Sequence, residues 1–112
     1  MNKTITCGHV GSIKPLHKFQ NGNCVLRFSL ATNDYWRNQQ GEQQTKVQWH
    51  RIVAYDAYAL SLVNKLKVGD KLYIEGSLDY NTYVNRDNIS VPTTEIKVTN
   101  FNILTTKETA YV

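Results

Sequence analysis

Gln48-Trp49-His50-Arg51-Ile52-Val53-Ala54-Tyr55 decides how the chain is read. β-Branched and aromatic residues fill the stretch and neither Gly nor Pro interrupts it, which predicts a strand. Successive side chains on a strand point to opposite faces. One face carries Trp49, Arg51, Val53 and Tyr55, and the other carries His50, Ile52 and Ala54. The second set is small and mostly apolar, as an inner face requires. The first sets two large rings about a guanidinium. Buried, Arg51 would need a partner, because an unpaired buried charge is very costly. Left facing solvent, the set is a stacking platform with a cation built in, suited to a flexible polyanion with unstacked bases. The plainer alternative packs Trp49 and Tyr55 beneath a loop while the Arg51 head reaches water. On this stretch alone both readings stand.

Upstream, Asn2 to Val10 alternates loosely as a strand, and Gly8 and Gly11 mark a bend or bulge where another backbone comes close. Ser12 to Gly22 reads as a loop closed by the turn pair Asn21-Gly22, with Lys14, His17, Lys18 and Phe19 inside it. Cys24 to Asn33 is the second strand, with Leu26, Phe28 and Leu30 on the core face and Val25, Arg27 and Ser29 on the other. Tyr35-Trp36-Arg37 falls just beyond that pattern, ahead of a glutamine-rich segment from Asn38 to Gln44 that reads as the tip of a long hairpin. An exposed Trp beside an Arg at the foot of a polar hairpin favours binding over burial.

Downstream, Ala59, Leu62, Val63 and Leu66 make one apolar helical stripe. Asp56 is placed to cap its start, and Val68-Gly69-Asp70 to stop it. The fourth strand is expected over Lys71 to Tyr80, with Leu72, Ile74 and Leu78 inward and Gly76 letting it curl. A second polar hairpin spans Asn81 to Asn88, with Tyr80 and Tyr83 near its base. The last strand runs Ile89 to Leu104, and its parity change near Asn100 predicts a bulge.

The 112 residues suffice for one core. Thirteen basic against nine acidic side chains give a net charge of +4, which permits a nucleic-acid partner without requiring one. The distribution is more telling, since Lys3, Lys14, Lys18 and Arg27 all precede the first acid, Asp34. Cys7 and Cys24 are too few and too far apart for a disulfide framework, and read as small buried hydrophobes in a reducing compartment. No apolar segment is long enough for a membrane helix, and no secretory leader is present, so the Asn-x-Ser/Thr matches at Asn2 and Asn88 read as chance. The acids are scattered rather than clustered, and no Cys/His spacing suggests a nucleophile–base pair or a zinc site. Neither an enzyme nor a cofactor or metal is expected.

Three strands, a short helix and two more strands fit an all-β, five-stranded Greek-key barrel, the OB-fold, with its helix between the third and fourth strands. An SH3-like barrel or small sandwich accounts less well for that helix. The expected domain covers residues 1–104, followed by a short polar tail over 105–112.

Phe28-Ser29-Leu30-Ala31-Thr32-Asn33, Tyr35-Trp36-Arg37, Trp49-His50-Arg51, Tyr73-Ile74-Glu75-Gly76 and Thr93-Thr94-Glu95 resemble the homotetrameric single-stranded DNA-binding proteins of bacteria and mitochondria. The resemblance runs from about Asn2 to about Leu104. Asp79-Tyr80-Asn81-Thr82-Tyr83 looks more like the mitochondrial branch, as does the lack of an acidic, Pro-rich tail. A mitochondrial matrix location is therefore expected, with the bacterial cytoplasm as the alternative. By resemblance, Trp36, Trp49, Tyr55 and Tyr83 stack on bases, Arg37, Arg51 and Lys18 lie near the strand path, and His50 lies at a subunit interface. Asp79 and Asn81 depart from the pattern, standing where many bacterial relatives carry arginines. Lys46, Lys67 and Lys71, with Lys14, are the candidates to compensate.

The function so implied is sequence-independent coating of single-stranded DNA during replication, recombination and repair, by a homo-oligomer in contact with replication proteins. Stacking and phosphate contacts would carry it, with both indoles open on one side of a small barrel. An RNA-binding OB-fold module is the rival reading, against which the Trp-His-Arg block argues.

Overall fold

The alternating stretch lies on a strand much longer than its alternation. The computed structural model describes residues 1–105. In it β1 runs Thr4–Ile13, β2 His17–Lys18, β3 Cys24–Arg37 and β4 Gln43–Tyr55. Helix α1 spans Asp56–Val63, and β5 (Lys71–Val84) and β6 (Ser90–Thr105) complete the described chain. Neighbours follow the order β1-β5-β6-β4-β3, and β3 pairs back to β1, which closes a five-stranded barrel. Strands β4 and β6 meet in parallel at Ile52–Ile96 and Val53–Lys97, while the other pairings are antiparallel. The short β2 adds a rung on the outside of β3, within the segment expected to be a plain loop.

Alternation places the core as expected. Leu26, Leu30, Ile52, Ala54, Leu72 and Ile74 are fully buried, and Phe28 nearly so. Each large side chain of this set contributes roughly 1.5–3 kcal/mol by leaving water. Val25 and Val53 are buried too, although they stand on the face expected to be open. Val53 is flanked in register by Arg27 on β3 and Lys97 on β6.

Two glycines let strands close on one another. A Cβ on Gly8 would fall 2.1 Å from the Ala31 carbonyl oxygen, and one on Gly76 would fall 2.2 Å from that of Lys97. The expected bulge near Asn100 is present: Glu75 pairs with Asn100 and Gly76 with Val98, leaving Thr99 as the extra residue.

Several boundaries differ from expectation. Tyr35-Trp36-Arg37 is part of β3 rather than beyond it, and β5 runs past Tyr80 to Val84, so that Tyr83 lies within it. Both hairpin arms are paired ribbons almost to their tips. The arms carry polar side chains on both faces, so hydrophobic period could not reveal them; the ladder of backbone hydrogen bonds holds them instead. Each tip is closed by an asparagine. The Asn38 side-chain oxygen accepts from the Gln40 and Glu42 amides, and that of Asn85 accepts from Asp87 and Ile89. Gly41 and Asn88 supply the left-handed residue each tip needs, at φ 79° and 61°.

The helix is shorter than its apolar stripe. It ends at Val63 with Asn64 as C-cap, and Leu66 is buried one turn beyond it. Asp56 is not the N-cap; Tyr55 holds that position without a side-chain bond. Instead Asp56 sits at φ 49° and its carboxylate accepts from the Cys24 amide at 3.1 Å, tying the start of α1 to the start of β3. Val68-Gly69-Asp70 docks on β1 rather than stopping the helix, with Gly69 N–H donating to Val10 and Val10 N–H to Asp70. Cys24 is buried as expected, whereas Cys7 is exposed. The polar tail begins with Thr105 inside β6, and residues 106–112 lie outside the described residues.

Candidate nucleic-acid interface

The β3–β4 pairing keeps one register along its whole length, from Val25 opposite Tyr55 to Arg37 opposite Gln43. Residues directly opposite share a face, so the ladder assigns every side chain. The outer face carries, from barrel to tip, Tyr55, Arg27 with Val53, Arg51 with Ser29, and Trp49 with Ala31. Tyr35 and Arg37 continue it along the free arm. Trp49 is 62% exposed and Tyr35 63%. The open-platform reading of Trp49 and Arg51 therefore holds, and Arg51 has no ion-pair partner among the described residues. Tyr55 is half-buried, with Lys97 Nζ 5.6 Å above its ring centroid.

Trp36 is also open, at 47%, but on the reverse face of the same ribbon, opposite Gln44. The expectation of two indoles on one side is corrected by this register. Lys46, opposite Asp34, adjoins Trp36 on that reverse face. Nearer the barrel the face carries His50, half-buried, whose Nε2 lies 2.8 Å from Thr32 Oγ1. There β4 and β6 diverge beyond their short parallel contact, leaving a cleft between His50 and Leu78, Pro92 and Thr94.

An open groove lies between the outer face and the β5–β6 hairpin, lined by Lys14, Arg27, Arg51, Tyr55, Tyr83 and Glu95 among others. Tyr83 thus lines the same groove as Arg51 and Tyr55, from the β5–β6 side. Within the groove Arg27 Nε donates to Glu95 Oε2 at 2.9 Å. That bond raises the guanidinium above its ordinary value, against a smaller opposing effect of desolvation. The pair removes one positive charge from the groove, and the two residues are 68 positions apart.

The remaining predicted cations scatter. Lys71 is opposite His9, His9 opposite Ala31, and Ala31 opposite Trp49, so Lys71 ends a row across the outer surface. Three strand spacings put it ~14 Å from Trp49. Lys18 sits on the short β2 at the edge of β3. Lys67 is exposed in the connection between α1 and β5, apart from the groove. The Arg37 Nη1 donates to the Gly41 carbonyl at 2.9 Å and so braces the hairpin tip. Arg27 lies on the outer face where strand alternation put it, whereas Tyr35 and His9 were assigned to no face by the sequence; strand parity, given the register, would have found both.

Away from this surface, Lys3 pairs with Glu75 at 3.3 Å and Asn100 donates to the same carboxylate at 2.8 Å. These bonds, Asn100 first, hold Glu75 below the usual carboxylate range. Among the described residues no group of three or more His, Cys, Asp or Glu is placed to hold a metal ion, and no helix is long and apolar enough to cross a membrane.

A model of the single-strand binding protein family matches residues 1–104. The solved Plasmodium falciparum SSB complex with ssDNA is 33% identical and superposes with a TM-score of 0.84, covering 93% of this chain and 95% of that one. A deletion mutant of the single-stranded DNA binding protein from Thermus aquaticus superposes with a TM-score of 0.83. At 16% identity, over 97% of this chain and 53% of the other, that match speaks to the fold alone.

Proposed function

The chain belongs to the single-strand binding protein family, and from that membership we propose that it binds single-stranded DNA without reading its sequence. The observation that carries the reading is the outer face of β3–β4. Trp49 and Tyr35 stand open in one ladder with unpaired Arg51, and Arg51 in turn lines a groove that Tyr83 lines as well. Every base has a π-face, so aromatic rings bind any sequence, at roughly 1–3 kcal/mol per stacked base. Arg51, Lys14 and Lys71 line or extend that surface and would meet phosphates, releasing counterions so that affinity falls with salt. The 33% identity to the Plasmodium protein solved with ssDNA supports the same ligand.

Coating and protecting the exposed strand during replication, recombination and repair is the role this binding serves, with no catalytic step. A homotetramer is part of the proposal. A net charge of +4 per chain is modest, and a strand wrapped over several copies accumulates contacts that one copy lacks. His50, beside the cleft on the reverse face, is the residue assigned to that interface. A mitochondrial setting, with replication proteins as partners, is proposed on the likeness of Asp79–Tyr83 to that branch of the family.

Titration of the intrinsic Trp fluorescence with oligo-dT at two salt concentrations tests the reading. Quenching with an affinity that falls as salt rises is the expected result. An emission that oligo-dT leaves unchanged, or a preference for poly-U in competition, refutes it.

A further inference from the structure

We infer that Gly11 is a positioning residue for the Trp49 indole, the seat on which the ring is set before DNA arrives. The inference rests on the proposed DNA-binding role of Trp49 and assigns part of that site to a residue on another strand. A Cβ at Gly11 would fall 2.2 Å from Trp49 Cζ3 and 2.8 Å from Cη2. The far ring of the indole therefore occupies the space that any side chain at position 11 would take. Gly11 lies where the β1–β3 register shifts between Val10 and Ile13, so this segment leaves the regular ladder. It is held nonetheless: Ser12 N–H donates to Ser29 Oγ at 2.9 Å, and the two hydroxyl oxygens are 3.0 Å apart. Ser29 is opposite Arg51 in the ladder, one step from Trp49 on the same face.

Gly8 and Gly76 differ in kind. A Cβ on either would meet a backbone carbonyl, which can yield only if the barrel moves. At Gly11 the obstacle is the end of a side chain with two torsions, beside the Ser29 hydroxyl. No positive φ is found at Gly11, so alanine is compatible with its backbone. The ring, rather than the strand, gives way. Chain entropy is why such a seat matters: an indole already fixed in its bound pose loses less freedom on stacking than one that swings.

The test uses Trp36→Phe as background, which leaves Trp49 as the sole tryptophan of the two in the chain. Gly11→Ala should leave the cooperative thermal transition in place. It should change the emission and acrylamide quenching of Trp49 without DNA, and weaken oligo-dT binding on the order of tenfold, within the reach of one stacked base. A parallel pair carries Trp49→Phe, whose ring lacks the atoms that reach Gly11; there Gly11→Ala should not change affinity. Unaltered Trp49 emission would overturn the inference, as would an equal loss of affinity in both backgrounds. A Gly11→Ala chain that no longer folds overturns it too, because the ring is then not the part that yields. Should the parent fail to bind oligo-dT, the proposed function falls, while emission measured without DNA still decides whether Gly11 seats the ring.

Discussion

Alanine in place of Trp49 and of Trp36 should separate two binding surfaces that a single aromatic track would merge. The register sets the rings on opposite faces of the β3–β4 ribbon, Trp49 opposite Ala31 and Trp36 opposite Gln44. Each is about half-exposed or more, so truncation should cost the fold little. Taking about 2 kcal/mol per stacked base from the middle of the range, each substitution weakens a long oligo-dT roughly thirtyfold. Sites without shared partners add to within about 0.5 kcal/mol, so the double substitution should approach a thousandfold, or about 4 kcal/mol. A short strand behaves differently. An oligo-dT of about eight nucleotides, within the range that one OB-fold covers, can lie along the outer face and its groove. For that ligand Trp49→Ala should keep its thirtyfold effect and Trp36→Ala should have almost none. Anisotropy of labelled oligo-dT at fixed salt measures both lengths directly. Equal losses from the two substitutions on the short strand would show one continuous track and refute the argument from parity.

Two further outcomes rest on ion pairs. Glu95→Gln should release Arg27 to meet a phosphate, making the log–log salt dependence steeper by about 0.7. Between about 50 and 200 mM salt the variant then loses roughly 2.6-fold more affinity than the parent, and an unchanged slope would mean that Arg27 does not face the strand. Glu75 is held below its ordinary value of 4.5 by Asn100 and Lys3, so its contribution is present above that pH and lost as pH falls through the lower native value. The gap in melting temperature between parent and Glu75→Gln should thus be full at neutral pH and shrink only below about pH 4.5. A gap that keeps its size through the acid range would count against those bonds.

Local pattern determined a good deal. Alternation in Leu26–Leu30 and in His50–Ala54 named the inner faces, because a period of two survives whatever the strands pair with. The parity change near Asn100 foretold the bulge, since a slipped alternation is visible in one dimension. Element order gave the barrel, and the Trp-His-Arg block gave the family. Tertiary structure alone decided which rings share a surface. Trp36 and Trp49 belong to strands whose faces are fixed only by the pairing register, and that register is set by a hairpin closed through Asn38 and Gly41. It alone brought Arg27 to Glu95 and Gly11 to Trp49, pairs far apart along the chain that closure of the barrel forces together. Periodicity reports what a residue does for its own strand; contacts made by closing a sheet on itself leave no mark within either segment.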